Sequence, residues 1–294
     1  IDSVAVHGLL KSPAMILRRL TQILKDQLLA DFLLTQRLAA PGGVVLYEQG
    51  WPETKDSAEV VAPGTAYPQT TTEDIKLLFA QITKWGLANE VTDESVARMA
   101  MAPAERAIQQ LAHEIARRSD SLALTVIRSA IDDFDVTDTG NGGAWSTADA
   151  IVATILAARA QAEAAEHGVS YDTLVLSSAD YATVIGKLIS SDVLPRESGN
   201  PLLSGSFPSV LGVTLVSSAR AAGAPLLVDR ARLGALAVED LGGGYAARDG
   251  IPGLEVKSFR IEDRDAWKLQ ARRVFVPVVL EPEAGLQLTG TGLT

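Results

Sequence analysis

The chain has 294 residues, 47% of them apolar and 21% charged, enough for a sizeable core in one large or two medium domains. It has no cysteine, which excludes a disulfide framework and thiolate chemistry. A net charge of −10 argues against nonspecific nucleic-acid binding through a broad basic face, and no apolar run approaches the roughly 18 residues of a membrane span.

No secretory signal opens the chain, and the start at Ile1 rather than Met hints at proteolytic trimming or a shortened chain. Ser12 and Pro13 read as an N-cap and a first-turn proline. From there to Leu38, apolar residues including Ile16, Leu20, Leu24, Leu28 and Phe32 recur near helical spacing. This predicts one amphipathic helix with Arg18, Arg19, Lys25, Asp26 and Asp31 on its wet side. A helix docked on protein is favoured over one lying on a membrane.

The stretch "GGVVLYEQGWPETKDSAEVVAPGTAYPQT" follows, residues 42–70. It carries Val44, Val45, Leu46, Tyr47, Trp51, Val60, Val61 and Tyr67 between glycines and prolines. It is too apolar for a spare surface loop and too broken for a core segment. Next, Ile75, Leu77, Phe79, Trp85, Leu87 and Val91 share one parity, with Lys76, Lys84 and Glu90 on the other. Strands typically hold about 3–10 residues, so this one either breaks near Gly86 or marks an elongated substructure. No glycine occurs between Gly86 and Gly140, and Pro103 suits the start of a long helix striped with Ile108, Leu111, Ile115, Leu122 and Val126.

Residues 132–145, "DDFDVTDTGNGGAW", punctuate the chain, and alternating α and β segments follow. Ser146 with Asp149 reads as a capping box for an Ala-rich helix ending near Gly168. "DTLVLS" at 172–177 reads as a short buried strand, and Ser178 as the cap of a helix through Ile189. A Gly/Pro/Ser-rich loop covers 191–209. Strands are expected at 210–217, 225–229 and 234–239. Leu254–Ile261 and Ala266–Leu280, joined through "EDRD", read as a long antiparallel hairpin.

Signatures of catalysis are sparse. His7, His113 and His167 fall on separate elements, which argues against a zinc site. "DDFDVTD" places Asp133 and Asp135 as in a calcium loop. However, Asp138 stands where the turn glycine belongs and Ala144 where the bidentate Glu belongs, so a solvated acidic turn is favoured. "GGGYAA" matches G-x-G-x-x-A at Gly242, Gly244 and Ala247, but Gly250 and Pro252 cut off the helix that a dinucleotide fingerprint must open. Glu262, Asp263 and Asp265, flanked by Arg260 and Arg264, read as an exposed hairpin turn rather than an acid/base pair.

"GGVVLYEQ" through "TTTED", "IKLLFAQITKWGLANEVTDESV", "YDTLVLSSADYATV", "SVLGVTLVSSA", "APLLVDRARLGALAVED" and "RRVFVPVVLEP" follow one another between residues 42 and 282. This order resembles the major capsid proteins of tailed bacteriophages, the Hong Kong 97-like fold, and by texture those of actinobacterial phages. The resemblance implies an α+β chain with an N-arm and amphipathic helix at 1–41 and an extended loop, a β-hairpin, at 42–72. It implies a peripheral domain at 73–144 and 255–294, with a spine helix at about 103–131, and an axial domain at 145–254. It also implies that the extended loop lies on a neighbouring subunit. That makes Tyr47, Trp51, Val60, Val61 and Tyr67 the candidate intersubunit contacts, with Trp51 as the anchor. Ordering such a loop costs on the order of 1 kcal/mol or more per residue, so intersubunit burial must offset it.

The implied function is structural. The chain would self-assemble into pentamers and hexamers of an icosahedral head, formed in the host cytoplasm and resident in the virion. The head would enclose double-stranded DNA without reading its sequence. Portal and scaffolding or decoration proteins would be the other partners. No enzymatic activity, catalytic residue, cofactor, metal or membrane is implied. Lys55 is the one lysine of the extended loop, and Asn89, Asn141 and Asn200 all lie outside the C-terminal strands, so no Lys–Asn crosslink is expected. An encapsulin-type nanocompartment shell is the alternative, and a soluble α/β enzyme a distant one.

Overall fold

The computed structural model describes residues 3–25, 27–50, 53–54, 58, 60–67, 69, 72–73, 76–139, 144–191, 209–247 and 250–293. The chain forms two compact units, one from residues 1–45, 80–126 and 235–278, the other from 46–79, 127–234 and 279–294. Residues 235–254, expected in the axial segment, thus fall in the first unit. Residues 127–144 and 279–294, expected in the peripheral segment, fall in the second.

The first unit opens with α1 (Ser3–Leu10) and α2 (Pro13–Leu24). Pro13 sits in the first turn of α2, where its missing N–H costs nothing, and Ile16, Leu17, Leu20 and Leu24 form the buried stripe. The single helix expected through Leu38 does not form. The chain instead makes a short α3 (Leu29–Leu33) and then the strand β1 (Gln36–Ala39). Tertiary contacts override the local period here. The buried Asp120 carboxylate accepts the Ala30 N–H at 2.8 Å, and Asp31 accepts two hydrogen bonds from Arg273 Nη2 at 2.9 and 2.7 Å.

The long strand pattern divides at Ile82, into β5 (Lys76–Gln81) and β6 (Thr83–Thr92). β5 pairs with β2 (Val44–Gln49) and β6 with β14 (Ala266–Val279), so the strand changes partner at Ile82, whose N–H donates to Gly43 O, and not at Gly86. Gly86 serves a close approach instead. A Cβ on it would stand 3.0 Å from Arg272 Cβ and 3.2 Å from Ala271 O. Thr92 caps α4 (Asp93–Met99) through the Ser95 N–H, and α5 (Ala102–Ala130) follows close to the expected 103–131. At about 1.5 Å per residue its 29 residues span roughly 43 Å.

The sheet of the first unit runs β1–β12–β14–β13, with β12 at Gly234–Val238, β13 at Leu254–Ile261 and β14 at Ala266–Val279; β6 also pairs with β14. The expected C-terminal hairpin is therefore present, from Leu254↔Arg273 to Ile261↔Ala266. β6 runs antiparallel to β14 from Thr92↔Ala266 to Thr83↔Phe275. Inward side chains such as Val91, Val256, Leu269 and Ala271 meet Leu10, Leu20, Ile108 and Leu111 in one core. Gly253, at φ +74°, lets the chain enter β13. A Cβ there would stand 2.5 Å from Val274 O.

The second unit holds a mixed sheet in the order β7–β15–β11–β8–β10–β9. Its strands are β7 (Asp132–Asp135), β8 (Thr173–Leu176), β9 (Ser209–Val210), β10 (Val213–Ser217), β11 (Leu226–Val228) and β15 (Gly285–Thr289). All four residues of β8 are buried, as a central strand requires. α6 (Ala148–Ala164) and α7 (Ser178–Ser190) pack on one another, and α7 also packs on β8 and β10. Both caps fall one residue from the expected positions. Thr147 accepts from the Ala150 N–H and Ser177 from the Asp180 N–H, because these residues hold the extended backbone that an N-cap needs. The "DDFD" segment is a strand parallel to β15, not the expected acidic turn. Helix and strand are thus mixed through the chain, in keeping with the expected α+β class.

Candidate assembly surface

β2 (Val44–Gln49) pairs with β5, and β3 (Glu53–Thr54) pairs antiparallel with β4 (Thr72–Glu73). Glycines at 42 and 43 with φ of +89° and +81° lead into this two-stranded ribbon. Its root in the second unit is held by backbone. The Gly50 N–H donates to Leu280 O at 2.9 Å and Gln49 Nε2 to Val279 O at 3.0 Å.

Alternation gives each strand two sides of different exposure. On β2, Val45 is buried and Tyr47 partly so, whereas Leu46 is 64% exposed. On β5, Leu78 and Ala80 are half-buried, whereas Leu77 and Phe79 are 64% and 77% exposed. The exposed parity of these strands carries Val44, Leu46, Leu77 and Phe79 beside Glu48 and Gln81, more apolar surface than solvent selects for a solvated two-stranded ribbon. Tyr47 lies on the drier side, where burial pushes its phenol pKa up. Val60 and Tyr67 stand open and Val61 is partly buried.

Of the five candidate contacts, then, Val60 and Tyr67 are exposed apolar groups and Tyr47 and Val61 are shared between protein and solvent. Trp51 lies outside the described residues, as do Lys55, Asn141 and Asn200. Leu46, Leu77 and Phe79 were not singled out by the sequence reading. The parity of Leu77 and Phe79 was visible, but not which side of the strand stays wet.

The other candidate chemistries resolve into structure. Gly242, Gly243 and Gly244 all have positive φ, and Ala246 then bridges to Val256, so no helix follows the "GGGYAA" turn. That turn is pinned from below by the fully buried Glu255 carboxylate. It accepts from the Leu241 and Gly242 N–H groups and contacts Arg272 Nε, and Arg272 Nη2 donates to Gly242 O. In the 262–265 turn, Arg260 ties together Asp93, Glu262 and Asp265, and its guanidinium holds the Asp93 carboxyl below the usual range. Among the described residues no three Asp, Glu or His side chains gather as metal ligands, and no helix is long and apolar enough to cross a membrane.

The sequence matches no curated protein. Solved structures share the fold at low identity. The capsid of the cyanophage P-SCSP1u aligns at 12% identity over 87% of this chain and 86% of that one, with a TM-score of 0.60. The holo-SrpI encapsulin of Synechococcus elongatus aligns at 15% over 90% and 88%, with a TM-score of 0.56. The Phage G structure of gp27 major capsid and gp26 decoration proteins aligns at 10% over 90% of both chains, with a TM-score of 0.56. Residues 76–288, well over half the chain, match the family described as phage capsid protein. The chain accordingly belongs to the phage capsid protein family, as a structural major capsid protein with the Hong Kong 97-like fold.

Proposed function

We propose that this capsid protein closes into pentamers and hexamers of an icosahedral head by burying the open side of the β2/β5 ribbon on a neighbouring copy. The observation that carries this reading is the exposure of Leu46, Leu77 and Phe79 on a ribbon with no third strand among the described residues. Val60, Tyr67, Val61, Tyr47 and Trp51 extend the same contact toward the loop tip. The peripheral and axial roles of 73–144 with 255–294 and of 145–254 belong to this proposal. So do assembly in the host cytoplasm, enclosure of double-stranded DNA, and portal and scaffolding partners. Decoration proteins accompany the major capsid protein in the Phage G structure, and a comparable partner is proposed here. With a net charge of −10, attraction to DNA does not fill the shell, so filling requires work from elsewhere.

Electron microscopy and light scattering of the purified chain test this. Closed shells, pentamers or hexamers are expected, and a compact monomer at every concentration refutes it. A second reading, a nanocompartment shell, rests on the likeness to the Synechococcus encapsulin. Particles from the native source distinguish the two, since double-stranded DNA inside supports the head and a protein cargo supports the compartment.

A further inference from the structure

We propose that the open edge of β1 and the pocket at its end form a docking site for an extended basic segment of a partner protein, a role separate from shell closure. β1 is the last strand of its sheet, paired in parallel with β12 from Gln36↔Ala235 to Ala39↔Val238. The Ala40 N–H donates to Val238 O at 3.2 Å, which sets the phase of the ladder. Residues 36, 38 and 40 therefore turn backbone groups toward β12. Arg37 and Ala39 turn theirs outward, where no strand covers them among the described residues. Both residues are exposed, and the Arg37 guanidinium is drawn back onto Leu34 O, Gln36 O and Asp31. No proline lies within residues 36–40, and their one charged side chain is tied down, so the edge lacks the usual devices that block strand addition.

The pocket identifies the side chain that such a segment brings. The chain leaves β1 through Pro41 and Gly42 along a concavity of about 670 Å³. Ala39, Ala40, Val238, Ile251 and Pro252 supply its apolar walls. Gly42, at φ +89°, adds bare backbone, and a Cβ there would meet nothing within 4 Å. Among the described residues, the charged groups of the lining are two carboxylates, Glu239 and Asp240, with no cation beside them. Glu239 Oε1 accepts the Gly42 N–H at 3.2 Å, which holds that carboxylate next to the end of β1. Apolar walls and two carboxylates match a side chain with a methylene stem and a cationic head, as in lysine. A free diamine would use the carboxylates and leave the edge bare. A strand added to β1 uses both, its main chain supplying affinity and the pocket selecting the side chain.

The test uses the full chain and labelled peptides of about eight residues, long enough to span β1. They alternate Thr and Val around one central side chain, Lys or Glu. Binding rather than assembly is read, so the outcome stands apart from that of the shell-closure reading. Saturable binding of the Lys peptide roughly tenfold or more tighter than the Glu peptide is expected, with slowed amide exchange at Arg37 and Ala39. Methylating the peptide nitrogens that face β1 leaves the protein untouched and should weaken binding by a similar factor. The double substitution Glu239→Gln/Asp240→Lys is expected to remove or reverse the preference for Lys. Ala39→Pro, which deletes an outward donor and spares the β12 ladder, should weaken both peptides alike. Absence of saturable binding overturns the proposal, and so does a Lys preference that survives the double substitution. If the methylated peptide binds as tightly as its parent, or spermidine displaces it at equal concentration, the pocket takes a free ammonium and strand docking is refuted.

Discussion

Phe79→Asp is the sharpest test of how the shell closes. Phe79 is 77% exposed, so the substitution removes no intrachain core and should leave circular dichroism unchanged. Fully burying a Leu or Phe side chain is worth about 1.5–3 kcal/mol. Scaled by exposures of 64%, 64% and 77%, Leu46, Leu77 and Phe79 together hold about 3–6 kcal/mol for each copy of the contact. Phe79 alone accounts for about 1–2 kcal/mol of that, and a carboxylate in its place adds a desolvation cost. Each 1.4 kcal/mol is tenfold in an equilibrium constant. The free-subunit concentration that coexists with shells should therefore rise roughly tenfold or more, read by light scattering across a dilution series and by sedimentation. Leu46→Asp should act alike. If both variants assemble at the wild-type threshold, the ribbon's open side is not the intersubunit contact.

Asp31→Ala strands the Arg273 guanidinium, whose side chain is 1% exposed, without its carboxylate; breaking such a buried pair costs about 3–5 kcal/mol, to be read as a lowered denaturant midpoint. An unchanged midpoint would show that the stacking of Arg273 on the Phe275 ring, 4.7 Å away, suffices. Gly253→Ala forces a Cβ to within 2.5 Å of Val274 O at a φ of +74°, and should cost several kcal/mol, against about 1–2 kcal/mol for Gly242→Ala, where the space is open and only the positive φ is strained. Glu281 bears on pH. Burial, helped by Asp229 and Glu283 and opposed by Arg232 and His167, raises its carboxyl above the ordinary 4.5. A raised folded pKa means the native state holds the proton more tightly, so this contribution is full below about 4.5 and is lost as pH rises through the folded value. Glu281→Gln should thus raise the melting temperature at pH 7, with the gain shrinking toward pH 4.5; a gain independent of pH would contradict the assignment.

Periodicity made α2 and α5 legible, since Ile16, Leu20 and Leu24, or Ile108, Leu111 and Ile115, each declare one dry stripe. The C-terminal hairpin was equally open to reading, because alternation and the "EDRD" turn agree on it. The end of α2 was not. Asp120 and Arg273, which capture residues 30 and 31, are 90 and 242 positions away in sequence, and no local window holds them. The break at Ile82 was hidden for the same reason, since there the strand changes partner from β2 to β14, and β14 lies far away in sequence. At the candidate surface the sequence reading named Trp51 as the anchor, with Tyr47, Val60, Val61 and Tyr67 as the other contacts. Leu46, Leu77 and Phe79 escaped because alternation defines two sides of a strand without saying which one a neighbouring layer will cover.

The antiparallel ladder between β6 and β14 has a mechanical meaning. Its rungs run unbroken from Thr92↔Ala266 to Thr83↔Phe275, and along most of that length β14 is also hydrogen-bonded on its other edge to β13. A pull directed along β6 from its Thr83 end loads all of those rungs in shear, so none can fail until many fail together. The same pull directed across the strand would open them one at a time, like a zipper. Stress entering the chain at residue 82 along the strand is therefore met by the stiffest arrangement that backbone hydrogen bonds allow.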